Sequence, residues 1–169
     1  MGIVGRVRRG AEAGAIAAAG VAVSFFVLDL IRLQPMGTLG TLSGAVFGPG
    51  GFQPFEVEVT NLSGVIGGLS TAFRIVTFTI VHFLAFALVG VFASLLFDWK
   101  HGAGLKPLVV VAVLCTLAFS ATVAGSGSVV ALESVGPVAV MGVNLFAALL
   151  LVGYLRLAAM PEPEDPPPA

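Results

Sequence analysis

The chain has 169 residues, 57% of them hydrophobic and only 10% charged, with a formal net charge of −1. A soluble domain carries about 25% charged residues, so a water-facing surface cannot be built from this inventory. Eight basic residues against nine acidic ones also exclude a nucleic-acid partner, which requires clustered Lys and Arg.

Four apolar stretches, at about 11–31, 72–97, 105–123 and 137–157, make up most of the sequence. Each reaches or approaches the ~20 residues that cross a hydrocarbon core of about 30 Å as a helix. The expected fold is an all-α membrane protein, a four-transmembrane-helix antiparallel bundle forming one domain over 1–159. Its first partner is therefore the lipid bilayer. A Pro-rich acidic tail over 160–169 cannot hold a helix.

Arg6, Arg8 and Arg9 ahead of the first stretch resemble the start of a signal peptide. The apolar run is too long for that, and no small-x-small cleavage site precedes a soluble domain, so an uncleaved helix is expected. Position 6 is Arg rather than Ser or Thr, which argues against myristoylation after Gly2. Gly10, Gly14, Ala18, Ala22 and Asp29 form one row, and small residues let membrane helices approach closely. Asp29 and Arg32, at i and i+3, are expected to form an interfacial ion pair before Gln34-Pro35 ends the helix.

The connection over 33–71 is long and apolar, with Leu39, Leu42, Val46, Phe47, Phe52, Phe55, Val65 and Ile66 spread through it. Connections of this length are uncommon and frequently functional. A short surface helix is expected over 38–47 and a turn over 47–52. The alternation over 55–60 is strand-like. An apolar outer loop must cover something, either its own bundle or another subunit. Asn61-Leu62-Ser63 matches a glycosylation acceptor, a triplet that is common by chance.

Ionisable and polar side chains inside a bilayer are default functional candidates. His82, deep in the second stretch, shares a face with Thr79, Phe86, Gly90 and Ala93. Thr116 lies with Ala112 and Ser120 in the third stretch. Asn144 lies with Val140, Ala147, Ala148 and Leu151 in the fourth. His82, Asn144, Thr116 and Ser120 are thus expected to meet as an intramembrane polar cluster. The structural account is that a neutral His82 donates to Asn144 or a hydroxyl and fixes helix register, at about 1 kcal/mol per bond. The functional account is a pocket or gate. Cys115, the single cysteine, is expected to be a small packing residue.

Six basic residues, Arg6, Arg8, Arg9, Lys100, Lys106 and Arg156, fall on one side of this topology, and Arg32 and Arg74 on the other. The positive-inside rule then places both termini in the cytoplasm, with Trp99 and Tyr154 as interfacial anchors on that side. A bacterial cytoplasmic membrane is the expected location.

Several chemistries are excluded. A b-type haem held by two histidines of one chain is excluded, because the only other one, His101, lies in the connection between the second and third helices, which leaves His82 only a ligand partner from another subunit. One mid-membrane ionisable group is too few for a proton relay, and the paired broken helices of secondary transporters are missing. Metal-binding, phosphate-loop and nucleophile-elbow motifs are likewise lacking, and Glu133 has no evident acid–base partner. No enzyme, metal or cofactor is expected.

Asp29-Leu30-Ile31 with Pro35, His82-Phe83 with Phe86, and Asn144-Leu145 with Ala147-Ala148 resemble stretches of small uncharacterised four-helix membrane proteins of bacteria. The resemblance implies the four-helix fold and carries no function. The expectation is a non-enzymatic accessory or structural subunit of a membrane complex, or a homo-oligomer, partnered by other membrane subunits or by itself. The alternative is a small ligand-, ion- or proton-handling membrane protein using His82 and Asn144.

Overall fold

A computed structural model describes residues 2–33, 37–38, 42, 62–97, 105–125 and 136–159. Among them run four helices: α1 (Ile3–Ile31), α2 (Leu62–Leu96), α3 (Leu105–Gly125) and α4 (Pro137–Ala159). Three are long and apolar enough to cross a membrane: α1, α2 over Ala72–Leu96, and α4. The apolar part of α3 is Leu105–Ser120. Its full 21 residues extend about 32 Å at the α-helical rise.

Two helices begin earlier than hydropathy predicts. α1 starts at Ile3, so Arg6, Arg8 and Arg9 are helical residues. α2 starts at Leu62, which makes residues 62–71 helix where the sequence suggested the end of the outer connection. That stretch contains Gly64, Gly67 and Gly68, each costing about 1 kcal/mol in a helix relative to Ala. Once a long helix is nucleated, each further residue adds its own hydrogen bond, and the local penalty is outweighed. The turn at 47–52, the strand-like stretch at 55–60, the Trp99 anchor and the tail at 160–169 lie outside the described residues. Of the expected surface helix at 38–47, Thr38 and Leu42 are described. Both have helical backbone and both are buried.

Helix ends follow from local chemistry. α1 stops at Arg32, whose N–H donates to Leu28 O at 3.0 Å. Leu33 then turns left-handed, with φ 55° and its N–H on Leu30 O at 3.0 Å. α4 opens on Pro137, whose fixed φ suits the first helical position. Gly136 before it takes φ 88°, and its carbonyl accepts the Val140 N–H at 3.2 Å.

Packing centres on α1, which lies most extensively against α2 and also against α4; α3 packs mainly on α4. The α1–α2 contact is backbone on backbone. A Cβ placed on Gly14 would sit 2.1 Å from Phe86 O, and one on Gly90 would sit 2.1 Å from Gly10 O. Along α1 the contacts run Gly10, Gly14, Ala18; on α2 they run back through Gly90, Phe86, His82. In lipid this close van der Waals contact, not expulsion of water, holds helices together. α4 turns Val140, Asn144, Ala147, Ala148 and Leu151 inward, as its spacing predicts.

The inward row of α3 is Pro107, Val111 and Cys115, one position away from the Ala112–Thr116–Ser120 face. Cys115 is a buried packing residue there. Ser120 is exposed, which corrects the expectation that it faces the bundle centre. α3 is apolar on every side, so its sequence does not distinguish an inner face.

Arginines fasten the end where α1 begins. The Arg6 guanidinium donates to Ser94 O from Nε at 3.0 Å, and from its terminal nitrogen to Leu95 O at 2.9 Å and Phe97 O at 3.2 Å. In return the Ser94 hydroxyl donates to Arg6 O. Arg9 donates to Ala158 O in the last turn of α4. The final carbonyls of a helix lack intrahelical partners and carry partial negative charge, so cations suit them. Glu12 joins the group, accepting from Arg8 at 2.8 Å and from the Tyr154 hydroxyl at 2.7 Å.

Candidate functional site

Away from the arginine end, α1 and α2 enclose a cleft of about 140 Å³. α1 contributes Val21, Ala22, Phe25, Phe26 and Asp29; α2 contributes Phe78, Thr79, His82 and Phe83. Phe119 of α3, Thr38 and Leu42 are the other described residues of the lining. The cleft exists because larger residues replace the glycines of the seam. Val21 and Phe25 stand where Gly10 and Gly14 stand nearer the arginine end, and the backbones can no longer touch. Ala22, Phe26 and Thr79 are exposed, so the cleft has an outer mouth.

His82 is half-buried among rings. Its centroid lies 4.9 Å from that of Phe86, 6.0 Å from Phe83 and 6.1 Å from Phe78. Nε2 lies 3.3 Å from Ala18 O. A carbonyl can only accept, so the ring proton sits on Nε2 and Nδ1 is left as an acceptor. Among the described residues, every buried side-chain nitrogen and oxygen has a partner. Nδ1 makes no hydrogen bond, so His82 brings an unused acceptor to the residues that line the cleft.

Asp29 is only 3% exposed. One oxygen accepts the Thr38 N–H at 2.8 Å and the other accepts the Thr38 hydroxyl at 2.5 Å. Asp29 thus holds Thr38 of the connection against α1. Arg32, at i+3, is the C-cap that follows the last residue of α1.

The four members of the expected central cluster do not hydrogen-bond to one another. Asn144, 4% exposed, donates to Val140 O one turn back at 2.9 Å. Thr116 donates to Ala112 O at 2.9 Å. His82 reaches Ala18 O, and Ser120 points outward. What the fold joins instead is His82 and Asp29, two candidates that sequence reasoning kept apart. Thr38, Glu12 and the capping role of Arg6 were missed. The Arg8–Glu12 spacing of i, i+4 was readable as a pair. The Thr38 contact depends on how the chain returns after α1 and left no signal in the sequence.

The cleft has a restricted chemistry. The Thr38 N–H and hydroxyl are committed to Asp29, and the Thr79 hydroxyl donates to Ile75 O at 2.8 Å. The free polar capacity is acceptor in character, from the Asp29 carboxylate and His82 Nδ1. Among the described residues, no Lys or Arg lines it. Among the described residues, no three His, Cys, Asp or Glu side chains gather as metal ligands. The chain matches no family model, no curated protein and no solved structure.

Proposed function

We propose that this chain is a non-enzymatic, multi-pass integral membrane protein, acting as an accessory or structural subunit of a membrane complex or as a homo-oligomer. In this reading all four helices cross a bacterial cytoplasmic membrane as an antiparallel bundle, with both termini cytoplasmic. The observation that carries it is the outer surface of α2. Phe73, Val76, Ile80, Leu84, Leu88 and Phe92 are each more than half exposed and recur every three or four residues. One whole side of that helix is left for lipid or for another chain. The opposite-running contacts of α1 and α2 support the antiparallel arrangement. The arginines at the start of α1, close to the last turns of α2 and α4, support a cytoplasmic position for that end.

The test is the mass of the particle purified from native membranes in a mild detergent. Further polypeptides, or a mass equal to several copies, are expected. A single chain with its detergent belt would defeat the subunit reading. A second reading, a small ligand-handling membrane protein, draws on the cleft that joins His82 to Asp29.

A further inference from the structure

We propose that the cleft between α1 and α2 is a binding site for a lipophilic amine in its protonated form. Its ammonium would lie on the Asp29 carboxylate and its apolar body among the phenylalanines. This deepens the ligand-handling reading and is independent of whether the chain is also a subunit.

Charge complementarity selects the occupant. Both Asp29 oxygens already accept from Thr38, but a carboxylate has about four lone-pair sites, so further acceptor capacity remains. His82 Nδ1 adds a second acceptor. With every donor of the described lining residues committed, a ligand must bring the hydrogens itself. Anions and carbonyl-rich molecules would meet only acceptors. A buried ammonium is costly unless it is paired, and here Asp29 supplies the pair. Phenyl faces add attraction for a cation, and Phe25, Phe78 and Phe83 line the same space.

Size and access fix the rest of the ligand. A cavity of roughly 150 Å³ holds a benzene ring, so this cleft of about 140 Å³ takes an apolar body of about one ring. The mouth at Ala22, Phe26 and Thr79 lies on the outer surface of α1 and α2, so the ligand enters from the lipid side. An aminophospholipid headgroup shares the ammonium but brings a phosphate, and among the described residues no cationic side chain lines the cleft to receive it. The occupant is therefore a free amine.

The test uses the full chain in phosphatidylcholine nanodiscs, titrated calorimetrically with phenylbutylamine, and with phenylbutanol and phenylbutyrate as neutral and anionic counterparts. Saturable binding of the amine is expected, about tenfold or more tighter than the alcohol, with none for the carboxylate. Asp29→Asn should weaken the amine by about the same factor and leave the alcohol unchanged. Because Asn also weakens the hold on Thr38, Ala22→Phe provides a second arm. Position 22 is exposed, and a ring there closes the mouth, so amine binding should vanish while the helical circular dichroism is kept. Equal binding of the three probes, or an amine isotherm untouched by Ala22→Phe, would overturn the proposal as simple partitioning into lipid. Displacement of the amine by phosphatidylethanolamine would overturn it in favour of a lipid headgroup. None of these outcomes alters the particle mass that tests the subunit reading.

Discussion

The two ends of the α1–α2 pair are built from the same helices and behave oppositely. Near Arg6 the backbones touch at Gly10, Gly14 and Gly90, and arginine side chains cap the neighbouring helix ends. Toward Asp29 the helices hold a cleft open between Phe25, Phe78 and His82. The buried row of α1 explains the change, since it runs Gly10, Gly14, Ala18, Val21, Phe25, Asp29. Side-chain volume rises along it from Gly10 to Phe25. A pair of helices becomes a wedge, closed where there is no side chain to keep the backbones apart and open where there is. Residue size, not hydrophobicity, therefore decides where this helix pair leaves a cleft.

The largest test is to put volume into the closed end. Gly14→Leu would force a Cβ to within 2.1 Å of Phe86 O, and backbone cannot yield as a side chain can. A loss of about 3 kcal/mol or more is expected, read as a lowered midpoint in detergent-denaturant unfolding. Gly142→Leu is the matched control, because a Cβ there meets nothing within 4 Å; it should stay within about 0.5 kcal/mol. Equal effects at the two sites would mean the glycine seam does not exist.

Removing the cap should cost less and act only at that end. Arg6→Ala leaves the carbonyls of Ser94, Leu95 and Phe97 without their guanidinium donor. Charge-assisted bonds contribute about 1.5–3 kcal/mol when buried, but this site is partly exposed, so about 1–2 kcal/mol is expected. Arg6→Lys should recover little, since one ammonium cannot span three carbonyls. Amide exchange should quicken over residues 94–97 and remain unchanged around Phe78 and His82. Faster exchange at both ends would show that the cap supports the whole wedge.

How much of this was legible follows from what each feature depends on. The apolar lengths announced α1, α2 and α4 because crossing a bilayer imposes a length. The faces of His82 and Asn144 were also readable: Phe86, Gly90 and Ala93 are buried beside the first, and Val140, Ala147 and Ala148 beside the second. The face of α3 was not, because a helix that is apolar all round gives no orientation. Nor was the meeting of the polar residues. Asn144 and Thr116 satisfy themselves on carbonyls four residues back, an option open to any such side chain in a helix. Facing inward therefore did not oblige them to find each other. The pairing of His82 with Asp29 around one cleft depends on helix register and on the returning Thr38, which no local pattern encodes.

The smallest prediction sharpens the open end. Leu33 closes α1 in the left-handed region, at φ 55°, with its side chain 88% exposed. That conformation costs a non-glycine residue about 1–2 kcal/mol. Glycine removes the strain but gives back about 0.5–1 kcal/mol through the greater freedom of the unfolded chain. Leu33→Gly should therefore stabilise the protein by about 0.5–1 kcal/mol in the same unfolding assay. Amine binding in the cleft should be unchanged, because Leu33 is not part of its lining. If Leu33→Gly instead destabilises, the exposed side chain is anchored in lipid, and the membrane itself helps to fix the end of α1 that carries Asp29.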